Sequence, residues 1–322
     1  MISKKDFRII FMGTPEFAVE SLKQLVEHGY NVVAVVTNPD KPAGRGRQLR
    51  ESAVKEYARE QGLFLIQPEK LKDEDFAGQL KELNPTLQVV VAFKILPQSI
   101  FSLPQYGTFN LHASLLPDYR GAAPINHAII RGEKKTGVTT FFLDPNVDTG
   151  RIIKQKEVAI HEKDNAGTLH DKLMQAGGEL VRETVEAIRT GAYETILQED
   201  LIPEGTRIKK APKIFKDDCR IDWSGQTYDI HNFIRGLSPY PAAWTELAGP
   251  DKHTMKIFSS QPEVVDHQRP HGSIHTDDKS YLKVATGDGY IEILELQLSG
   301  KKKLSAENFL KGFREIGAYR CE

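Results

Sequence analysis

Short apolar runs alternate with amphipathic stretches through the first half of the chain. The apolar runs are FRIIFMG, NVVAVVTN, LFLIQP and LQVVVAF, and the stretches between them are EFAVESLKQLVEHG, SAVKEYAREQG and DEDFAGQLKELN. Apolar runs of this length are typical of buried strands, whereas apolar residues recurring every three or four positions are typical of helices. The pattern therefore predicts an α/β fold, a Rossmann-like, mostly parallel sheet with helices on both faces.

Three further strands and one long helix follow in the same pattern. The strands are predicted at TFNLHAS, TGVTTFFLD and RIIKQKEVAI, and the helix at NAGTLHDKLMQAGGELVRETVEAIRTG. From about Gly191 the chain becomes polar and carries Pro and Gly without periodicity, which is typical of a linker. We therefore expect one domain at residues 1–190, a linker at 191–208 and a second domain at 209–322.

The second domain begins with one helical stretch and continues in short alternating runs. The helix is predicted at QTYDIHNFIRGL, and the runs are TMKIFSS, SYLKVAT and YIEILELQL. Alternation of apolar and polar residues over short segments separated by turns is typical of strands that are buried on one face. This part of the chain is therefore predicted to form a small β-barrel or sandwich.

Composition places the chain among neutral globular proteins. Its 322 residues include 43 Lys and Arg against 44 Asp and Glu, so the overall charge does not indicate a nucleic-acid binder. Basic residues nevertheless cluster locally, at Arg45, Arg47 and Arg50, from Lys209 to Lys216, and at Lys301, Lys302 and Lys303. Cys219 and Cys321 form no paired motif, and no apolar run reaches membrane-spanning length. We therefore expect a cytoplasmic protein without a membrane partner.

A polar pair interrupts the apolar strand TFNLHAS. Asn110 and His112 are two residues apart, so their side chains project from the same face of the strand. At the carboxyl end of a parallel sheet, that face borders the crevice in which α/β proteins bind ligands. An Asn amide can donate to a developing oxyanion, and a His can accept and return a proton near neutral pH. The pair therefore indicates acyl-transfer chemistry.

The alternative is a structural role, in which Asn110 caps a turn and His112 is a hydrogen-bonded core residue. The loop that follows, SLLPDYRGAAP, favours the functional interpretation because its Pro and Gly residues suit a rigid pocket wall. A third residue, usually a carboxylate, is needed to orient the imidazole. Asp148 in PNVDTG is the candidate, with Asp144 and Asp118 as rivals among which sequence spacing does not decide.

Other ligand motifs in the sequence are weak. The first strand ends in GTPEF instead of GxGxxG, and PAGRGR lacks the third glycine, which disfavours a dinucleotide site. His267, His271 and His275 are spaced four apart, but Pro270 and Gly272 disfavour a helix that would place them on one face. We therefore expect no metal site.

Several motifs together resemble the methionyl-tRNA formyltransferase family. They are GTPEFA, NPDKPAGRGRQL, NLHASLLPDYRGAAPI, TGVTT, VDTG and APKIFKDDCRIDW. The similarity extends from the first strand to IRGLSPYPAAWT, near Thr245. SLLP is shared by formyltransferases that use 10-formyltetrahydrofolate, whereas RGAAPI, PDKPAGRGR and the KIFKDDCRIDW segment are specific to the tRNA enzymes.

This resemblance implies a reaction and a set of site residues. The reaction is transfer of the formyl group of 10-formyltetrahydrofolate to the α-amine of methionyl-initiator tRNA, without a metal. The C-terminal domain would be an OB-like barrel with a tRNA-facing basic surface. We expect a monomer whose partners are this tRNA and folate. The residues carried over are Asn110, His112 and Asp148 for catalysis, Ser114, Leu115, Leu116 and Pro117 for the folate site, and Arg45 and Arg47 for the tRNA acceptor end.

The chain also departs from the family pattern at two places. The segment AFKILP, which contains Phe93 and Lys94, is one residue shorter than the corresponding motif of the family and lacks the glycine of that motif. Arg151 stands where an acidic residue often follows DTG in the family. Among rival functions, formylation of an amino-sugar nucleotide with the same cofactor is disfavoured by RGAAPI. A tRNA-binding protein without catalysis is disfavoured by the intact Asn, His and Asp, and a bare dinucleotide-binding module by the missing glycine fingerprint.

Overall fold

The computed structural model describes residues 2–43 and 48–322, so Arg45 and Arg47 lie outside the described residues. The chain forms two compact units, which we call the first and the second unit. The first unit consists of Met1–Gly121, Lys135–Ala159 and His170–Lys210, and the second of Ala122–Lys134, Ile160–Leu169 and Ala211–Glu322. In the described ranges, no helix is both long enough and apolar enough to cross a membrane.

Strands and helices alternate in the first half of the chain, and strands predominate towards its end. The strands are β1 (Arg8–Gly13), β2 (Asn31–Val36), β3 (Lys41–Ala43), β4 (Gln48–Arg50), β5 (Leu65–Ile66), β6 (Leu87–Val91), β7 (Thr108–His112), β8 (Arg120–Gly121), β9 (Lys135–Phe142), β10 (Ile152–Ala159), β11 (Lys210–Ala211), β12 (Ala243–Ala248), β13 (His253–Val264), β14 (Ile274–Thr276), β15 (Leu282–Ala285), β16 (Gly289–Leu298), β17 (Leu304–Ser305) and β18 (Arg320–Cys321). The α-helices are α1 (Phe17–Glu27), α2 (Ala53–Glu60), α3 (Glu74–Glu82), α4 (Gln98–Phe101), α5 (Pro124–Ile130), α6 (Ala166–Thr190), α7 (Thr227–Leu237) and α8 (Ala306–Gly312). Short 3₁₀ helices lie at Gln198–Leu201, Asp217–Cys219 and Ile316–Ala318.

The first unit is built on a sheet with the strand order β10-β9-β7-β6-β1-β2-β5. Strands β5, β2, β1, β6 and β7 run parallel, and β9 and β10 extend the sheet in antiparallel pairing. Ile10 and Met12 pack with Phe76 and Leu80 of α3 on one face. Their neighbour Phe11 is also fully buried, and it points to the opposite face because side chains alternate along a strand. Both faces are covered, so the prediction of a mostly parallel α/β sheet is confirmed.

Local signals set the ends of the helices in this unit. Ser52 and Asp73 precede α2 and α3, and each side chain accepts a hydrogen bond from a backbone N–H of the first turn. Gly29 and Gly62 follow α1 and α2 with φ angles of +70° and +66°, a conformation that glycine adopts without steric cost. These residues terminate the helices where the sequence pattern predicted.

The second unit contains an antiparallel sheet with the order β14-β15-β16-β13-β12-β18, in which β17 also pairs with β16. A further antiparallel bridge joins Ser273, next to β14, to Arg320 in β18. This bridge connects the two ends of the sheet, so the strands form a nearly closed barrel. Every second residue of β12 is buried, which places one face of the strand in the barrel core. The predicted small β-barrel is therefore confirmed.

Helix α7 packs closely against α5, which also belongs to the second unit. A Cβ atom on Gly236 would lie 2.6 Å from Cγ1 of Ile130, so only glycine allows this approach. The Asn126 side chain donates to the Gly236 carbonyl at 2.8 Å and fixes the contact. No helix was predicted here from the sequence, in which Pro124 ended the predicted loop, whereas in the structure Pro124 occupies the first turn of α5, where proline is favoured.

Candidate active site

Asn110 opens into a crevice at the carboxyl ends of β6 and β7, the edge of the sheet that the sequence predicted to bind a ligand. It lines a cavity of about 120 Å³ together with Asp148. The other lining residues are Val90, Phe93, Lys94, Ile95, Leu96, Phe101, Leu143, Asp144, Pro145, Asn146 and Val147. Ile95 and Val147 are 77% and 55% exposed, so this cavity offers uncovered apolar surface beside a polar amide and a carboxylate.

The His112 imidazole is buried, and its two ring nitrogens face different partners. Nε2 lies 2.9 Å from the Tyr119 carbonyl oxygen. Because a carbonyl oxygen only accepts, Nε2 carries a proton and donates it to this bond. Nδ1 lies 3.9 Å from Oδ2 of Asp148, too far for a direct hydrogen bond but close enough for attraction to an imidazolium. Nδ1 is therefore the ring nitrogen that can accept a proton.

Of the three carboxylates considered from the sequence, Asp148 is the one that faces His112. Its Oδ2 accepts the Gly121 N–H at 3.0 Å, and its backbone φ of +56° is unusual for a residue with a side chain. Asp144 instead accepts bonds from Asn146 and Thr149 within its own loop. The sheet order contributes to this arrangement, because β9, which leads into the Asp148 loop, pairs with β7 and places Phe141 opposite Asn110.

The segment Tyr119–Gly121 contacts both titratable residues of the site. The Tyr119 carbonyl binds His112, and the Gly121 N–H binds Asp148. Tyr119 has a φ of +62°, and its N–H donates to the Lys209 carbonyl at 2.5 Å. The Lys209 N–H in turn donates to Oδ1 of Asp118 at 2.8 Å. Asp118 therefore holds the loop in place and does not face the imidazole.

The SLLP residues are held by Thr139 of β9. The Thr139 hydroxyl donates to the Ser114 carbonyl at 2.6 Å and accepts the Leu116 N–H at 3.1 Å. Leu116 packs with Phe141 and Ile152. Leu115 and Pro117 line a separate groove of about 400 Å³, which is formed with residues 201–203 and 206–209. Within the described residues, Ser114–Pro117 are absent from the lining of the Asn110 cavity.

Phe93 and Lys94, where the sequence departs from the family motif, line the cavity together with Ile95 after β6. One feature of the site was missed from the sequence. It is Gln198, a fully buried residue whose amide binds the loop that carries Asp148. No sequence signal marks Gln198, because it lies in a polar segment without periodicity. Arg151, the other departure, binds Thr195 through its guanidinium.

The second unit contains a groove of about 460 Å³ with cationic and aromatic residues. Its lining includes Lys213, Lys216 and Lys256 together with Tyr240 and Trp244, and no carboxylate among the described residues. Tyr240 is 82% exposed. Cationic side chains beside an exposed aromatic ring suit the phosphates and bases of an unpaired nucleic-acid strand.

Of the three histidines spaced four apart, His267 and His275 both lie against the ring of Tyr290, at 4.6 and 6.0 Å between ring centroids. His267 binds the Gly289 carbonyl through Nε2, and His275 contacts the ring of Tyr281. Among the residues that the structure describes, no group of three or more potential metal ligands occurs.

The sequence and the fold can be compared with known proteins. A model of the formyl transferase family matches residues 7–185, and a model of the formyl transferase C-terminal domain matches residues 213–314. The chain is 54% identical over 321 residues to a methionyl-tRNA formyltransferase of Bacteroides thetaiotaomicron, with 99% of each chain covered. It is 55% identical over 316 residues to the enzyme of that name from Phocaeicola vulgatus, covering 97% of this chain and 98% of the relative.

A solved structure supports the fold as well. The N-formyltransferase from Helicobacter canadensis, crystallised with folinic acid and dTDP-3-aminofucose, aligns with a TM-score of 0.62 and 20% identity, covering 92% of this chain and 99% of that one. The fold and the matching family models define the protein as an enzyme of the formyl-transferring class. The chain belongs to the formyl transferase family, among the methionyl-tRNA formyltransferases, as the sequence motifs predicted.

Proposed function

We propose that the protein transfers the formyl group of 10-formyltetrahydrofolate to the α-amine of methionyl-initiator tRNA, giving N-formylmethionyl-tRNA for translation initiation. Relatives with 54% and 55% identity over nearly the whole chain carry the name of this activity. The observation that supports the proposal is that Asn110 and Asp148 line one cavity, and that the His112 imidazole lies 3.9 Å from the Asp148 carboxylate. This set provides an oxyanion donor and a proton acceptor.

The three residues have separate tasks in the proposed reaction. Asn110 donates to the formyl oxygen as negative charge develops there. His112 accepts through Nδ1 the proton that the amine loses when its nitrogen bonds to the formyl carbon. Asp148 stabilises the resulting imidazolium. The bond between the formyl carbon and N10 then breaks, and N10 takes up a proton in place of the formyl group.

The cavity beside Asn110 suits the ring of the formyl donor, which is a co-substrate. Its apolar wall includes Ile95 and Val147, whose exposed surfaces a flat heterocycle would cover. Asn110 and Asp148 lie at its polar end, where the formyl group would be presented. The role of Ser114–Pro117 at the folate site stays a prediction. Their bonds to Thr139 support the position of the loop that leads from His112 to Tyr119.

For the tRNA, we propose that the basic groove of the second unit and the loop with Arg45 and Arg47 bind phosphates. The groove presents Lys213, Lys216 and Lys256 without an opposing carboxylate in its described lining. In this proposal residues 1–190 perform catalysis, and residues 209–322 provide an OB-like, tRNA-facing barrel. We also expect a cytoplasmic monomer, and light scattering coupled to size exclusion tests the oligomeric state.

One experiment tests the proposed acceptor directly. The purified protein is mixed with 10-formyltetrahydrofolate and, separately, with methionyl initiator tRNA, methionyl elongator tRNA and an amino-sugar nucleotide. We expect formyl transfer to the initiator tRNA only. Transfer to the amino-sugar nucleotide instead would assign the rival activity, and transfer to none of the three would refute the proposal.

A further inference from the structure

Gln198 is a fully buried residue in the segment that the sequence predicted to be a linker. It begins the 3₁₀ helix Gln198–Leu201 and makes four hydrogen bonds through its side chain. Oε1 accepts from Nε and from a terminal nitrogen of Arg120, at 2.9 and 2.7 Å. Nε2 donates to the carbonyls of Asp148 and Gly150, at 3.0 and 2.8 Å. Both N–H donors of the amide and its oxygen are therefore satisfied.

These bonds connect the two sides of the candidate site. Arg120 lies between Tyr119, whose carbonyl binds His112, and Gly121, whose N–H binds Asp148. Gln198 holds the side chain of Arg120 and, with the other end of the same amide, the backbone of Asp148. The result is a closed ring of bonds that runs from Gln198 through Arg120 and Gly121 to Asp148 and back.

The loop that carries Asp148 needs such support. Asp148 has a left-handed φ of +56°, which costs free energy in a residue with a side chain. Gly150 has no space for a side chain, because a Cβ atom there would lie 1.6 Å from the Phe142 carbonyl oxygen. The loop is therefore strained at one residue and tightly packed at the other, and external bonds determine where the carboxylate points.

We propose that Gln198 is a positioning residue of the formyl transfer site: it sets the separation of His112 and Asp148 by tying Arg120 to the Asp148 loop. The inference rests on the proposed function for its kinetic consequences. Gln198 touches neither the imidazole nor the carboxylate, so it acts through the Asp148 backbone and the Tyr119–Gly121 segment. Its removal alters the orientation of the catalytic pair more than the binding of either substrate.

Two substitutions remove different sets of the hydrogen bonds that the Gln198 side chain makes. Gln198→Met keeps the size of the side chain and removes all four bonds. Gln198→Glu keeps the acceptor for Arg120 but removes the donors to Asp148 and Gly150. We expect each to lower kcat by about 10- to 100-fold with KM for both substrates within about 2-fold, since misplaced catalytic groups lose orientation. If Gln198→Met does not fold, Gln198→Glu gives the same comparison.

Gln88→Met is the matched control. Gln88 is likewise fully buried in the first unit, where its oxygen accepts from the Thr108 hydroxyl at 2.9 Å. This variant loses a buried amide without touching the site, so we expect wild-type kcat. A similar loss of kcat in Gln88→Met and Gln198→Met would mean that removal of a buried amide is sufficient, and it would overturn the inference.

A double-mutant cycle distinguishes positioning from general loosening of the fold. If Gln198 acts through Asp148, then Gln198→Met lowers kcat much less in an Asp148→Asn background than in the wild type. An equal factor in both backgrounds would show that Gln198 acts elsewhere and would refute the proposal.

A readout without substrates separates this inference from the proposed function. The chain has 10 histidines, whose ring nitrogens give signals in ¹⁵N spectra. The signals that are missing from the spectrum of His112→Ala belong to His112. We expect the His112 signals to shift in Gln198→Met and Gln198→Glu and to stay unchanged in Gln88→Met. Unchanged His112 signals in all three would refute the inference. A wild-type enzyme that formylates none of the acceptors would refute only the proposed function.

Discussion

Replacing Thr139 by valine tests how the loop between His112 and Tyr119 is held. Thr139 is fully buried, and its hydroxyl bonds three groups, the Ser114 carbonyl, the Leu116 N–H and the Gln155 amide. Valine has nearly the same shape but has no hydroxyl, so the change removes the bonds and leaves little void. The Gln155 amide keeps its second bond, to the Leu116 carbonyl at 2.8 Å.

The expected cost follows from the groups that lose their partner. The Ser114 carbonyl and the Leu116 N–H are left without the hydroxyl, and each such buried group costs about 1–3 kcal/mol. The free energy of unfolding should therefore fall by about 2–6 kcal/mol, a large part of the roughly 5–15 kcal/mol typical of a folded domain. Thr139→Ser, which keeps the hydroxyl and removes one methyl group, should lose only about 1 kcal/mol.

Urea unfolding followed by far-ultraviolet circular dichroism measures the effect. Tryptophan fluorescence is unsuitable, because both tryptophans, Trp223 and Trp244, lie in the second unit. The matched control is Thr140→Val on the same strand, whose hydroxyl pairs with that of Thr184 at 2.8 Å. A Thr139→Val variant no less stable than Thr140→Val would refute the reasoning.

Three further predictions concern catalysis, tRNA binding and pH. Asn110→Ala and His112→Ala should each lower single-turnover formylation by ~10²–10⁴ while thermal melts stay near wild type, and near-normal turnover would contradict their roles. Arg45→Ala should weaken tRNA use most at low salt and make the apparent affinity less dependent on salt, and a salt dependence equal to that of the wild type would count against a phosphate contact. The Arg189 guanidinium, with help from a tyrosine hydroxyl, lowers the pKa of Glu186 to about 2. The ionised form of Glu186 therefore stabilises the fold at pH values above the ordinary pKa of a glutamate. The Tm of the wild type should exceed that of Glu186→Gln by an amount that shrinks as the pH falls towards 2. A difference in Tm that does not change with pH would exclude this linkage.

Much of the fold could be predicted from the sequence because its signals are local. The apolar runs of β1, β2 and β6 and the periodicity of α1 and α6 appear where the structure has them. Several short elements were not predicted. Helix α5 follows a loop rich in Gly and Pro, and β18 has two residues that acquire strand geometry only by pairing with β12. Elements of this length have too few residues to show a period.

The candidate site was predictable in part. Strand alternation predicted that Asn110 and His112 share one face, and the structure brings the Asp148 carboxylate to 3.9 Å from the His112 imidazole. The contribution of Tyr119 could not be predicted, because it is made by a backbone carbonyl and any residue carries one. Gln198 could not be predicted either, because a glutamine in a polar segment is ordinarily exposed.

The sequence by itself determined the alternation of strands and helices, the change to a barrel, and a polar pair at the end of one strand. Each of these features depends on residues within a few positions of one another, because the spacing of apolar side chains and the residues that favour turns are local properties of the sequence. The tertiary structure decided which carboxylate faces His112, which of its ring nitrogens bonds the Tyr119 carbonyl, and why Gln198 is buried. These depend on the order of strands in the sheet and on bonds between distant segments, and both arise only when the chain packs.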